Sequence, residues 1–400
     1  MVGMICAMAY WVLTLEECVK RAEAAASAVT VARREAEVAG RGIAQAKAGF
    51  LPRAEIGSAY IGNSGASFIA LNGVREYLGQ FMVGEEVDTS GRLRAGLARA
   101  RADREAAEAG VLLSGRDLKR AVTGAYYRLV LARRLVEVNH QALTEARAFE
   151  TRARLLAQGG EVARADVVKA ASQAAFLEQA ERAAELDAQI ANYELASFWT
   201  AEVAEPLEVE DVLENSLPPP ESPPFLRRLE FNLLEAQRKG FLADARAARA
   251  QLYPQLSLVF QYGLDASRVA WPERGYAAFV NLHIPVFDWF KSRNQAQQAE
   301  LRARQVEANR EIATRTFSKE YQSALARVKR IYEQIGMTVE QVRLSEENLK
   351  LSRVRYEGGE GSALDVVAAQ QQLTQARSNR YAAVAAYLTA RADLEVASGR

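Results

Sequence analysis

Two aspartates stand at the same place in two copies of one short pattern. GGEVARADVV begins at Gly159 and GGEGSALDVV at Gly358, so Asp166 and Asp365 lie 199 residues apart. Each follows a paired-glycine stop by a few residues, near the start of a helix. There a carboxylate is a favourable partner for the helix dipole. Little else in the chain could join these acids in catalysis. There are two histidines, His140 and His283, and two cysteines, Cys6 and Cys18. Neither pair has a metal-type or CxxC spacing. GRGIAQ (Gly40 to Gln45) has dinucleotide-like glycines but ends a helix instead of following a strand. GGEGSA lacks the Lys-Ser/Thr of a phosphate loop. No nucleophile, base and orienting group assemble, so no enzyme, cofactor or metal is expected.

Composition narrows the partners. Lys plus Arg is 51 and Asp plus Glu is 50, a net charge of +1. Without a basic field, nucleic acid is not an expected partner. Stretches such as AERAAELDAQIAN, made of Ala, Glu, Arg, Gln and Leu, have the composition of long helices. No run of about 18 apolar residues exists to form a membrane-crossing helix. Residues 1–12 are apolar, lack a basic start and carry Ala7-Met8-Ala9, the form of a signal-peptidase site. They read as the remnant of a signal peptide or as a frayed apolar terminus.

The glycine pairs are not the only echo. AKAGFLPRAEIGSAYIG (from Ala46) resembles ARAQLYPQLSLVFQYGL (from Ala248), with Pro52 matching Pro254 at an offset of 202 residues. Two repeats of about 200 residues follow, 13–199 and 225–399, joined by a linker at 200–224 that carries SLPPPESPP. Prolines at that density exclude helix and central strand. Each repeat reads as a helix (about 14–48 and 225–251), two short strands, a very long helix (90–158 and 292–357) and a return helix (162–199 and 363–398). The strands are expected at about 52–62 and 77–88, then 254–263 and 276–287. In the second repeat Leu256, Leu258, Phe260 and Tyr262 alternate with Ser257, Val259, Gln261 and Gly263. Val280, Leu282, Ile284 and Val286 alternate likewise, leaving His283 on the other face. Period-two alternation marks a strand with one apolar face.

At 1.5 Å per residue the long helices reach roughly 100 Å. The two shorter helices of a repeat, placed end to end, match that length. Each repeat is therefore expected to form a tall helical hairpin, too long for a globular domain. Leu344, Leu349, Leu351 and Val354 are spaced like a seam, as are Val366, Val367, Leu373, Val384 and Leu388 in the partner helix. Four amphipathic strands with open edges invite pairing with further copies. A membrane barrel turns an apolar face outward and pairs every backbone group. Tyr253, Tyr262, Trp271, Tyr276, Trp289 and Phe290 sit at or near strand ends, where interfacial aromatics belong.

Together these features resemble the TolC-like outer membrane efflux protein family. The resemblance rests on the duplicated helix–strand–strand–helix–helix order, LTLEEC at Leu13–Cys18, the helix ends AGFLP and AQLYP, HIPVFDW, and the paired glycine tips before DVV. It covers nearly the whole chain. It implies a mainly α protein with a small β part, and a homotrimer. The trimer's twelve strands form an outer-membrane barrel and its helices a periplasmic tunnel. Such proteins are passive exit ducts in the Gram-negative outer membrane. They dock on a periplasmic adaptor and an inner-membrane pump of RND, ABC or MFS type.

The resemblance also assigns residues. Gly159, Gly160, Glu161, Gly358, Gly359 and Glu360 become hairpin tips that contact the adaptor. Asp166, Tyr356 and Asp365 match a closed-entrance network, and three copies of Asp365 would form an anionic ring that raises proton affinity. The family's arginine in the second tip loop is Gly361 here, with Arg164 as a substitute, and a second acid one turn after Asp365 is replaced by Ala368. The competing reading is a soluble coiled-coil scaffold, which needs no amphipathic strands.

Overall fold

The computed structural model describes residues 12–62, 75–215, 217–225 and 228–399. Readings that rest on residues 1–11, on Ser216 or on residues 64–73 lie outside these residues. The chain is mostly helical. In order come α1 (Leu15–Ala24), α2 (Ala28–Ala48), β1 (Arg53–Gly62), β2 (Arg75–Val87), α3 (Arg92–Gln158) and α4 (Arg164–Ala196). Then follow α5 (Glu230–Ala250), β3 (Gln255–Ala266), β4 (Arg274–His283), α6 (Lys291–Glu357) and α7 (Ala363–Ser398). The two long helices α3 and α6 have 67 residues each. No helix among the described residues is long and apolar enough to cross a membrane.

Most boundaries shift by a few residues from the pattern in the sequence, as where the helix expected from 225 starts at Glu230, and two differences have a clear local cause. The helix expected at 14–48 is broken between α1 and α2. Thr30 makes the break: its hydroxyl donates to the Ala25 carbonyl at 3.0 Å and accepts from the Ser27 amide at 3.5 Å. A threonine bonding backbone in this way offers the chain an alternative to continuous helix. The last strand ends at His283 rather than near 287. Pro285 cannot donate to a ladder, so the alternation continues past the strand without the pairing.

Contacts divide the chain into two units, and each draws on both repeats. One comprises residues up to Val31, Leu113–Arg228 and Arg315 onward. It is helical, with a core of small and aliphatic side chains. The ends of α3 and α6 and the starts of α4 and α7 share one cluster around Phe149, Leu156, Val342, Leu349, Tyr356, Val366 and Leu373. The proline-rich end of the linker is tied to this unit through its carbonyls, because proline offers no N–H. Tyr387 and Tyr321 donate to the carbonyls of Pro218 and Pro223, each at 2.6 Å. The segment before α1 pairs with the linker as well: Leu13 bridges Val209, and the buried Tyr126 hydroxyl donates to Glu210 at 3.0 Å.

The other unit comprises Ala32–Leu112 and Leu229–Thr314 and contains the sheet. Its strands run in the order β1-β2-β3-β4, all antiparallel. The central pair, β2 with β3, joins the two repeats edge to edge. The strands are 10, 13, 12 and 10 residues long. That matches the roughly 9–11 residues a tilted strand needs to cross a bilayer core.

Candidate functional site

Both hairpin tips are closed by the same backbone device. The amides of Gly160 and Glu161 donate to Ala157 and Leu156 at 3.1 and 3.0 Å, and those of Gly359 and Glu360 donate to Tyr356 and Arg355 at 3.1 and 2.9 Å. Gly160 and Gly359 have φ of +79° and +76°. This crossed pair of bonds around a left-handed glycine satisfies the last carbonyls of a helix. Gly159 and Gly358 are the helix-side neighbours, and Glu161 and Glu360 are exposed at the turns. Gly361 folds against the end of α6, where its amide donates to Arg355 at 3.0 Å. A Cβ there would stand 3.0 Å from the Tyr356 nitrogen, so the turn is shaped for glycine.

The two aspartates differ in what surrounds them. Asp365 sits in a capping box: its carboxylate accepts from the Ser362 amide at 3.0 Å, and the Ser362 hydroxyl accepts from the Asp365 amide at 3.3 Å. Bonds from the Ser362 backbone and side chain, with Arg355 nearby, hold the Asp365 carboxyl below the usual carboxylate range. In the single chain its proton affinity is therefore lowered, the opposite direction to the one expected of an anionic ring. At the matching cap of α4 stands Ala163, which has no capping side chain. Asp166 is consequently not engaged in a cap. Its nearest cation is Lys169 at 3.5 Å.

Replacing Ser362 with alanine should therefore fray the start of α7 by about 1 kcal/mol, the usual worth of such a cap. Faster amide exchange at residues 363–366 would register it. Because the Asp365 carboxyl is depressed, its bond from the Ser362 amide is fully present above the ordinary carboxylate pKa and weakens as pH falls through Asp365's lower value. The Ser362 hydroxyl does not titrate, so an exchange difference between wild type and Ser362→Ala should persist at acid pH.

Tyr356 does not lie at the surface of the tip. It is 3% exposed, and its ring meets Phe149 edge-on at 5.1 Å between centroids. Its buried hydroxyl has no hydrogen-bond partner among the described residues. Burial, and then the charge of Asp166, push its pKa up. The fold thus brings Tyr356 and Asp166 within electrostatic reach of one another. Asp365 responds instead to Ser362 and Arg355. Arg164 makes no ion pair among the described residues.

A polar network beside Tyr356 is invisible in the sequence pattern. Glu145 on α3 receives Arg353 of α6 at 3.0 Å and Arg377 of α7 at 3.5 Å. Arg377 also meets Glu346 at 3.1 Å. Gln371 of α7 donates to Gln173 of α4 at 2.9 Å. These groups tie together helices of both repeats around a cavity of about 310 Å³ lined by Glu145, Phe149, Arg152, Arg353 and Tyr356. The sequence shows only Glu- and Arg-rich helix faces. Which of those charges turn inward depends on helix rotation, which composition does not fix.

The sheet is the second place where side chains are sorted. Partners in register share a face. Ile56–Phe81–Tyr262–Tyr276 form one row, Ala54–Val83–Phe260–Ala278 the next, then Glu85–Leu258–Val280 and Val87–Leu256–Leu282. This apolar face is bare: Ile56 is 85% exposed, Val280 72% and Tyr276 77%. The opposite face is more polar: it carries Glu55, Gln80, Glu86, Ser257, Gln261, Asn281 and, at the strand end, His283, interspersed with Leu78, Met82, Val259 and Phe279. One of its rows, Gly57–Gln80–Gly263–Gly275, has a single side chain longer than hydrogen. A Cβ on Gly263 would lie 2.0 Å from the Gly79 carbonyl oxygen. Glycine there lets the β2 and β3 backbones approach more closely than any side chain would allow, a crease between the two strands. The outer strands β1 and β4 each pair on one side alone among the described residues.

Comparison with known proteins follows the same division. Residues 226–400 match the family described as outer membrane efflux protein. Among curated proteins, "Nodulation protein T" of Rhizobium leguminosarum bv. viciae is 28% identical over 172 residues, covering 40% of this chain and 35% of that protein. The matched part thus spans about a third of that relative. Among solved structures, a membrane protein from Pseudomonas aeruginosa superposes with a TM-score of 0.85 at 20% identity, covering 96% of this chain and 92% of the other. The CmeC outer membrane channel of Campylobacter jejuni gives 0.84 at 16% identity, covering 96% and 85%. At these identities the likeness is one of fold.

Proposed function

We propose that this chain, whose residues 226–400 match the family described as outer membrane efflux protein, is an exit duct of the Gram-negative outer membrane. It carries small molecules or peptides passively across periplasm and outer membrane. Three copies close one barrel, and the energy comes from an inner-membrane pump of RND, ABC or MFS type, reached through a periplasmic adaptor. The observation that carries this reading is the sorting of the sheet. Strands of both repeats combine one bare apolar face, one polar face and two open edges. Lipid covers the first, water fills the second and neighbouring copies pair with the third.

A further observation favours several copies. Along α6, Met337, Leu344 and Leu351 recur every seven residues, 70%, 50% and 56% exposed. A heptad stripe of this kind is a coiled-coil seam awaiting a partner helix. The tips Gly159–Glu161 and Gly358–Glu360 are assigned to adaptor contact, and Asp166, Arg164, Tyr356 and Asp365 to the entrance. The scaffold alternative leaves the apolar sheet face unexplained.

Conductance in a planar bilayer tests the duct. The purified protein should form channels, and Gln80→Lys should shift the reversal potential toward anions, because Gln80 alone projects from the glycine row on the polar face. Channels with unaltered selectivity would mean that this face does not line the lumen.

A further inference from the structure

The helix that leads into the strands is held differently in the two repeats. α2 and α5 are counterparts, each of 21 residues and offset by 202 in the sequence. α3 and α6 are counterparts at an offset of 199. α5 is gripped on two sides. Lys239 and Asp244 reach Glu105 and Arg99 of α3 at 2.7 and 2.8 Å, and Arg238 reaches Glu307 of α6 at 3.2 Å. Seven of its residues are buried. α2 buries Val29 alone. Its one ion pair among the described residues, Arg34 with Glu37 at 2.8 Å, lies within the helix.

One flank of α2 has a neighbour. The counterparts of Arg238 and Glu307 are Ala36 and Glu108, and both line the groove between α2 and α3. The other flank is bare. Arg99 crosses α5 at Gly240, whose counterpart in α2 is Val38. Val38 is 70% exposed, and Val31, one heptad earlier, is 67% exposed. Valines a heptad apart with nothing against them mark a seam for a further helix. The repeat says which helix that is. α5 lies beside α3, the long helix of the other repeat, so α2 belongs beside an α6. β1 and β4 are opposite edges of the sheet, and α2 runs into one while α6 leaves the other. The α6 that meets α2 is therefore that of a second copy.

Charge supports this occupant. The counterpart of Lys239 is Glu37, and that of Glu105 is Arg304. The pair is kept and its sign is reversed. Arg304 is exposed and has no ion pair among the described residues. We propose that Glu37 of one copy pairs with Arg304 of a second copy, and that the reversed sign keys the assembly. A neighbour's α2 placed on α3 would set Glu37 against Glu105. α5 placed on a neighbour's α6 would set Lys239 against Arg304. Like charges meet in both exchanges, so each helix accepts its own seat. A duplicated chain needs such a key, because its internal seam and its seam between copies are otherwise built alike. This rests on the several-copy reading above, and the test separates the two.

The test uses the full-length protein in outer-membrane fractions. Glu37→Cys with Arg304→Cys, once oxidised, should give a ladder of linked chains on non-reducing gels, and each single cysteine variant should give none. Glu37→Lys alone and Arg304→Glu alone should each lower the ratio of oligomer to monomer on native gels in mild detergent. The drop should be roughly two- to fivefold per seam, as for an exposed ion pair. The two substitutions together should restore the ratio. Circular dichroism of every variant should match wild type, because both side chains are exposed. Glu105→Lys with Lys239→Glu keeps the internal pair but makes the two seams alike. That protein should assemble into mixed sizes, and adding Glu37→Lys and Arg304→Glu should return a single size. A wild type that is monomeric in detergent overturns the several-copy reading and the key with it. An oligomeric wild type whose cysteine pair does not link, or whose single reversals leave the oligomer unchanged, overturns the proposed seam alone. A single uniform size for Glu105→Lys with Lys239→Glu overturns the key and leaves the seam standing.

Discussion

Replacing Gly263 with valine is expected to empty the outer membrane of assembled protein. The first atom of any side chain there would overlap the Gly79 carbonyl oxygen at 2.0 Å, and that neighbour is backbone in the adjacent strand. Ordinary overpacking of a core costs about 1–3 kcal/mol because side chains can move aside. Here the two central strands would have to part. Its row partner Gly275 offers a matched control, since a Cβ there meets nothing within 4 Å. Gly275→Ala should insert and assemble as wild type does. Membrane fractionation and native electrophoresis of the two variants would decide the matter. Normal assembly of Gly263→Val would show that the crease is not needed for closure.

Tyr356→Ala is expected to cost about 3–5 kcal/mol, as for other large buried aromatic side chains. The loss should fall where the two hairpin tips share a core, because Tyr356 packs there with Phe149, Leu349 and Val366. Tyr356→Phe should be neutral or mildly stabilising, because the hydroxyl is buried without a partner and its removal leaves nothing unsatisfied. Amide exchange across residues 142–177 and 342–376 would measure both. Phe and Ala variants opening the tips equally would assign the hydroxyl a bond that the single chain does not contain. A change of channel conductance in Tyr356→Phe, with unchanged exchange, would assign that bond to the assembled entrance.

Local rules made part of this molecule readable. The paired glycines stop the long helices because only glycine takes the left-handed turn cheaply, and the same stop appears twice. The period-two runs at 256–262 and 280–282 state both a strand and which residues share its apolar face. What escaped notice depends on partners distant in sequence. Nothing local says that β2 pairs with β3 across the two repeats, or that the Gly57–Gln80–Gly263–Gly275 row lines up into a crease. Ser362 and Ala163 differ by one hydroxyl, and that difference binds the Asp365 carboxylate to a cap while leaving Asp166 out of one. The Glu145 network needs α3, α6 and α7 in their final rotations before its charges meet. The break after α1 carries the Thr30 hydroxyl bonds to Ala25 and Ser27, with no proline or glycine to announce it.

The native mass of the protein extracted in mild detergent from outer-membrane fractions tests the duct most directly. A particle of three 44.0 kDa chains from that fraction is the expected result. A soluble dimer or a filament, recovered without detergent, would contradict it and leave the long helices as a scaffold.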